Sequence, residues 1–413
     1  MTSGDPSDAA RRGFRGWEVA PGLLLLVALL LWLVPAMRDH TPDDMRLAYV
    51  AGAEAWASGH PERVETWMST SFLALCMALT TRATSLTGSV ITLNVLNLAL
   101  FLGIVAVTWR WLRPRLSRRV WWATLAFALL YSPVISVFRW KQLNLIVFAL
   151  ALAGFWLIRR GREWSGAGLA ALSIAIKPIV VLLPVALFVR RDTRRAAVAC
   201  TLGVVLLTML GQAFLALRAR DASVLWPMAA LETFAERGRE WGANPENFAP
   251  MGTVRRLTRG EGPIEKVFVG LGVLALAVLA HESVRRRPGR AWEVFAWACA
   301  LSPMVGPVGW SHYQVLLAPL FLVLGYQLGR SAAGPSWWLP VLFAYLLTSL
   351  VQRPLSGTLP GSVMALLTGY REGWDDMLRM LALGQFAQYF LAAAALAWFN
   401  RQAAGLGDGT WRD

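Results

Sequence analysis

The chain has 413 residues, 56% of them hydrophobic and only 16% charged, with a mean hydropathy of +0.48. That is too apolar for a soluble domain, and the apolar residues come in long runs, which places the chain in a bilayer. The net charge of +15 is almost all arginine in short segments between those runs, so it reads as a topology signal and anionic-leaflet contact rather than a nucleic-acid footprint.

Arg11, Arg12 and Arg15 precede the first apolar run, 19–37, and put residues 1–18 in the cytoplasm. No small-residue cleavage site follows, so the run reads as an anchor. Residues 38–88 form a long external loop whose Ala/Tyr/Trp pattern suggests short amphipathic helices at the interface, with Leu73 to Leu79 dipping further in. Spans are expected near 92–109, 120–137 and 143–158, the first followed by a basic loop from Arg110 to Arg119.

The stretch 165–189 is the most informative, because Lys177 stands alone in an apolar run bounded by arginine clusters on both sides. A cation at bilayer depth costs about 2.5–3.5 kcal/mol even on lenient scales, so it faces a partner or a wet cavity. Pro178 and Pro184 break the helix there, and the two Arg-rich ends belong on one side by the positive-inside rule. A re-entrant pair of short helices with Lys177 near its tip is the expected structure; the plainer alternative is one spanning helix with a snorkelling lysine. A span near 196–217 follows, then a second external loop over 218–265, then spans near 267–281, 291–308, 313–329, 336–351 and 377–399, and a cytoplasmic tail, 400–413. The expected fold is an all-α polytopic membrane protein of about ten to twelve membrane segments, a single domain over 19–399.

Cys76, Cys200 and Cys299 are odd in number, lie in or near apolar segments, and read as small core residues. No HExxH and no paired His/Cys/carboxylate spacing appears, so no metal site and no cofactor is expected. Asp43 and Asp44, just beyond the first run, suit a general base at the membrane boundary, or a cap for the helix beginning near Met45. One aspartate can cap while the other faces the site. Cations converge on the same side: Arg139 and Lys141 at the mouth between the third and fourth spans, Lys177 below it, His312 beside Tyr313 at a later helix end, and Arg255 and Arg256 in the second loop. Several donors at one boundary suit a phosphate.

Lys141-Gln142-Leu143-Asn144-Leu145, then Arg159-Arg160-Gly161-Arg162, then Ala167-Gly168-Leu169, then Ile176-Lys177-Pro178, resemble the central signature of glycosyltransferase family 87. Asp44, Tyr49, Ala53 and Gly59 after the first span, Asn247 with Arg255 and Arg256, and Ser302-Pro303 followed by Trp310 and His312 extend the resemblance over roughly 20–330. Three features depart from the pattern: Lys141 stands where a glycine is usual, Thr66 to Thr70 replace a proline pair, and Asp44 and Tyr49 are one residue further apart. The resemblance implies a GT-C-like bundle in the plasma membrane with its active site on the external or periplasmic side. It implies a polyprenyl-phosphate sugar donor, mannose first and arabinofuranose second, and a glycolipid or glycan acceptor.

On that expectation the transfer is inverting. Asp44 or Asp43 deprotonates the acceptor hydroxyl, and Lys177, Arg139, Lys141, His312, Arg255 and Arg256 hold the donor phosphate. Gln142, Asn144, Tyr49, Asn247, Trp310 and Tyr313 are the expected substrate-binding residues, and a monomer is expected. Two other classes use the same features. A transporter or flippase would place a broken helix and a buried cation mid-membrane but would carry an inverted repeat, which is not visible in the sequence. A non-catalytic interaction protein would tolerate loss of both aspartates.

Overall fold

The computed structural model describes residues 44–64, 69–112, 131–225, 291–305, 309–330 and 338–350, with isolated positions within 23–38, at 270 and within 391–395. Asp43, Asn247, Arg255, Arg256, most of the second external loop, nearly all of the expected spans 267–281 and 377–399, and both tails lie outside the described residues. Among the described residues every regular element is helical. The elements are α1 (Asp44–Ser58), α2 (Ser71–Ala83), α3 (Leu86–Leu112), α4 (Ser132–Arg139), α5 (Asn144–Arg159), α6 (Glu163–Ile176), α7 (Leu183–Val189), α8 (Arg194–Ala219), α9 (Ala291–Val305), α10 (Ala318–Arg330) and α11 (Trp338–Leu350). Short 3-10 turns fill Pro61–Arg63, Pro178–Val180, Arg191–Thr193, Ala222–Leu225 and Ser311–Leu317.

The segments Leu86–Val107 and Arg191–Ala219 are long and apolar enough to cross a membrane. They carry Ile91, Val95, Leu102 and Val107, and Leu202, Leu206 and Met209, exposed to their surroundings. Such faces suit lipid, and with the composition they make this an all-α membrane protein. The segments Glu163–Ile176 and Pro178–Val189 are turned 118° from each other at Lys177, so a single straight helix through the charge is excluded. Pro178 and Pro184 each occupy the opening turn of the element they begin, where a missing N–H costs no helical bond.

Small residues set the helix spacing, as in membrane bundles generally. α5 and α6 form a hairpin in which a Cβ on Gly166 would sit 2.5 Å from the Gly154 carbonyl oxygen, and one on Gly154 would sit 2.7 Å from that of Gly166. The hairpin turns through a Schellman motif: Arg162 N–H donates to Leu157 O (2.9 Å), Gly161 N–H to Ile158 O (3.0 Å), and Gly161 has φ +77°. Gly52 lets α1 lie on α2 against the Met77 backbone, and Gly211 lets α8 meet the start of α2 at Ser71. A large apolar core gathers α4 to α7, the start of α8, α9, α10 and part of α11. A smaller one, including Met45, Ala51, Ala55, Leu73, Met77 and Leu215, joins α1 and α2 to the end of α8.

Candidate functional site

The break at Lys177 forms because proline follows it, and the freed backbone groups are taken up by neighbours. Ser302 Oγ accepts from Leu182 N–H (3.0 Å) while donating to Ala298 O (2.6 Å), so the Ser302-Pro303 pair on α9 fixes the far side of the break. Thr70 caps α2 by accepting from Leu73 N–H (3.0 Å) and donates its hydroxyl to Ala175 O, two residues before the lysine. Ser173 Oγ donates to Val147 O (2.8 Å), locking α6 to α5.

Held this way, Lys177 Nζ donates to Gln142 Oε1 and to Asn144 Oδ1 (3.0 Å) and stands 4.6 Å from the centre of the Tyr313 ring. Gln142 and Asn144, both buried, come from the corner between α4 and α5. Asn97 on α3 donates to Gln142 O (2.9 Å), and Asn144 Nδ2 donates to His312 O (2.9 Å). Tyr131 docks the 3-10 turn carrying His312 by donating to Gln314 O (2.9 Å). His312 is 5% exposed, packs edge-on to Tyr313 at 4.9 Å, and its buried Nε2 has no hydrogen-bond partner among the described residues.

Asp44 opens α1 and enters this cluster. Its N–H donates to Trp140 O (3.3 Å), which docks the start of the helix on the α4–α5 corner, and its carboxylate lies within Coulombic reach of both Lys177 and Tyr313. Pieces that the sequence spreads over nearly 270 positions are thus brought together: one ammonium, two amides, an imidazole and a phenol in mutual contact, with the helix that begins at Asp44 docked on the same corner. A site of this composition can deprotonate a hydroxyl on one side and hold an anion on the other. Among the described residues no group of three or more His, Cys, Asp or Glu could hold a metal ion.

Other expected residues land differently. Arg139 is exposed at the last turn of α4, directly before Trp140. Trp310 is half-buried at the start of the 3-10 turn, its carbonyl accepting from Tyr313 N–H (2.8 Å). Lys141 does not face the cluster. It is 2% exposed, and its ammonium donates to Ala36 O (3.0 Å), Met37 O (3.1 Å) and Phe138 O (3.0 Å). Its φ of +52° and the bond from Gln142 N–H to Val137 O (2.9 Å) make it the left-handed residue of a second Schellman turn. That is the conformation for which glycine is favoured, which explains why the usual residue there is glycine. Expected to bind phosphate, Lys141 instead ties the end of the first apolar run to α4. Tyr49 also turns away: five residues past Asp44 it lies about 140° round the helix, and its hydroxyl donates to Thr84 O (2.8 Å).

Asn97, Thr70 and Ser302 shape the site without having been singled out as site residues. The available signal was polar side chains inside apolar helices or at their ends, which in a membrane must find partners.

The sequence pattern described as Glycosyltransferase family 87 matches residues 67–307. The chain is 25% identical over 431 aligned residues to a polyprenol-phosphate-mannose-dependent alpha-(1-2)-phosphatidylinositol mannoside mannosyltransferase of Mycolicibacterium smegmatis, covering 92% of this chain and 91% of that one. It is 27% identical over 335 residues to the protein of the same name from Mycobacterium tuberculosis, covering 72% of this chain and 75% of that one. No solved structure matches.

Proposed function

This chain belongs to glycosyltransferase family 87, and from that premise we propose that it moves mannose from a polyprenyl-phosphate donor to a hydroxyl of a glycolipid acceptor at the external face of the membrane. The observation that carries the reading is the gathering of Lys177, Gln142, Asn144, Tyr313 and His312 at the broken helix, with Asp44 docked through its main chain on the α4–α5 corner that supplies the two amides. Asp44 takes the proton of the acceptor hydroxyl as its oxygen attacks the anomeric carbon. The bond from that carbon to the phosphate oxygen breaks on the opposite side, and its electron pair leaves with the polyprenyl phosphate, inverting the anomeric centre.

The leaving group is already an anion and needs no acid to protonate it. It needs positive charge placed in advance, which Lys177 supplies, with Arg139 at the rim and His312 offering its unpartnered Nε2. Gln142 and Asn144 keep the ammonium aimed, and Trp310 and Tyr313 flank the sugar. Asp43 as the alternative base, Asn247 as a substrate-binding residue and Arg255 and Arg256 as donors to the phosphate belong to the same proposal. The supporting bundle is GT-C-like, a single domain over 19–399 with α6 and α7 as a re-entrant pair, acting as a monomer in the plasma membrane.

The test is transfer of radiolabelled mannose from polyprenyl-phosphomannose to a membrane lipid extract by the purified chain. Transfer lost in Asp44→Asn, with folded protein unchanged, supports the reading. Undiminished transfer by that variant overturns the assignment of the base, and no transfer by the folded wild type overturns the donor.

A further inference from the structure

Away from Lys177, at the other end of α1, Trp56 gathers two arginines from two different helices. The guanidinium carbon of Arg218, in the last turn of α8, is 4.8 Å from the centre of its indole ring, and that of Arg82, in the last turn of α2, is 5.5 Å from it. Arg218 Nε donates to Trp56 O, and Phe214 backs the ring at 6.1 Å. Both arginines are exposed, and among the described residues neither has an acidic partner. The nearby acids are engaged elsewhere. Glu54 Oε1 accepts from Ser58 (2.6 Å) and Arg63 (3.5 Å), Glu62 Oε1 meets His60 Nδ1 (2.7 Å), and Asp221 Oδ1 accepts from Ser223 N–H (2.8 Å).

Two guanidiniums fixed against one ring repel each other, and an anion between them relieves that repulsion with charge-assisted bonds. The fork of an arginine suits phosphate oxygens, and tryptophan is at home at the level of lipid headgroups. Both arginines end apolar helices, α2 and α8, so the cluster lies where a headgroup would be met. α8 begins among Arg190, Arg191, Arg194 and Arg195, the end that the positive-inside rule assigns to the cytoplasm, which puts Arg218 on the opposite side together with the reaction.

We infer that Trp56, Arg82 and Arg218 form a subsite for the phosphodiester of the lipid acceptor. This rests on the transfer reading above and adds to it a second binding point. Trp56 is twelve residues beyond Asp44 on one helix, about 18 Å along its axis at 1.5 Å per residue. An acceptor bound at both points has its reacting hydroxyl well beyond its phosphate.

The experiment uses the full chain in phosphatidylcholine nanodiscs doped with phosphatidylinositol, with retained lipid read by native mass spectrometry and no sugar donor present. Wild type is expected to retain phosphatidylinositol over phosphatidylcholine. Arg82→Gln with Arg218→Gln should lose that preference about tenfold, while Arg195→Gln at the far end of α8 keeps it. Arg82→Gln alone, which removes only a ring contact, guards against misfolding and should show part of the loss. Equal retention in the double variant overturns the inference, as does an equal fall in Arg195→Gln, which would mark non-specific charge attraction. Displacement by inorganic phosphate would also overturn it, since a free-anion site is not a headgroup site. In the transfer assay the double variant should raise the acceptor KM with little change in kcat. Retention behaving as expected without any mannose transfer would overturn the transfer reading and leave the lipid site standing.

Discussion

Replacing Lys177 with methionine separates the two roles a buried lysine can have. The substitution removes the donated bonds to Gln142 Oε1 and Asn144 Oδ1 and the contact with the Tyr313 ring. Hydrogen bonds to a charged group contribute about 1.5–3 kcal/mol each, but the change also removes a cation whose burial at bilayer depth costs about 2.5–3.5 kcal/mol. The two bonds together outweigh the recovered burial cost by about 1.5 kcal/mol at mid-range, so the melting temperature in detergent should fall by only a few degrees. Catalysis has no such offset. Loss of one preorganised charge or donor at the place where negative charge develops lowers kcat by about 10²–10³-fold, or about 2.7–4 kcal/mol. Lys177→Arg, which keeps the charge but replaces a point donor with a planar fork, should recover only part of it. The assay is mannosyl transfer per folded molecule, normalised by size-exclusion profile. A Lys177→Met enzyme within about threefold of wild type would show that the lysine is a structural staple and refute the argument.

Asp44→Asn should lower transfer by about 10²–10⁴-fold with the fold intact, because the bond from its main-chain N–H to Trp140 O does not involve the carboxylate; thermal unfolding checks the second half of that statement. Lys141→Met keeps the left-handed backbone while losing the bonds to Ala36, Met37 and Phe138, whereas Lys141→Gly loses the same bonds and relieves about 1 kcal/mol of conformational strain. The glycine variant should therefore melt higher than the methionine variant, and the reverse order would contradict the reading of Lys141 as a turn residue. Gly166→Ala places a Cβ 2.5 Å from the Gly154 oxygen and should destabilise by about 1–3 kcal/mol, while Gly168→Ala meets open space and should not; parallel melting curves decide it.

Long apolar runs separated by arginines dictate helices and their spacing, since a bilayer leaves the backbone no other way to satisfy its polar groups. The break at Lys177 was equally legible, because proline acts on its own helix and on the residue before it. Such features depend on neighbours a few positions apart. The fates of Lys141 and Lys177 did not follow from local chemistry. Both are lysines beside polar residues near the same mouth, yet one donates to carbonyls from the first apolar run and the other to Gln142 and Asn144. Tyr49, close to Asp44 in sequence, is turned to Thr84 by the phase of α1 and the crossing of α1 over α2 at Gly52. Asn97, Thr70 and Ser302 acquire their roles only from partners 45, 105 and 120 positions away. A hydrogen bond is decided by which groups share a few ångströms. That sharing is set by how the helices cross, so the tertiary structure alone decided which cation faces the site and which polar groups aim it.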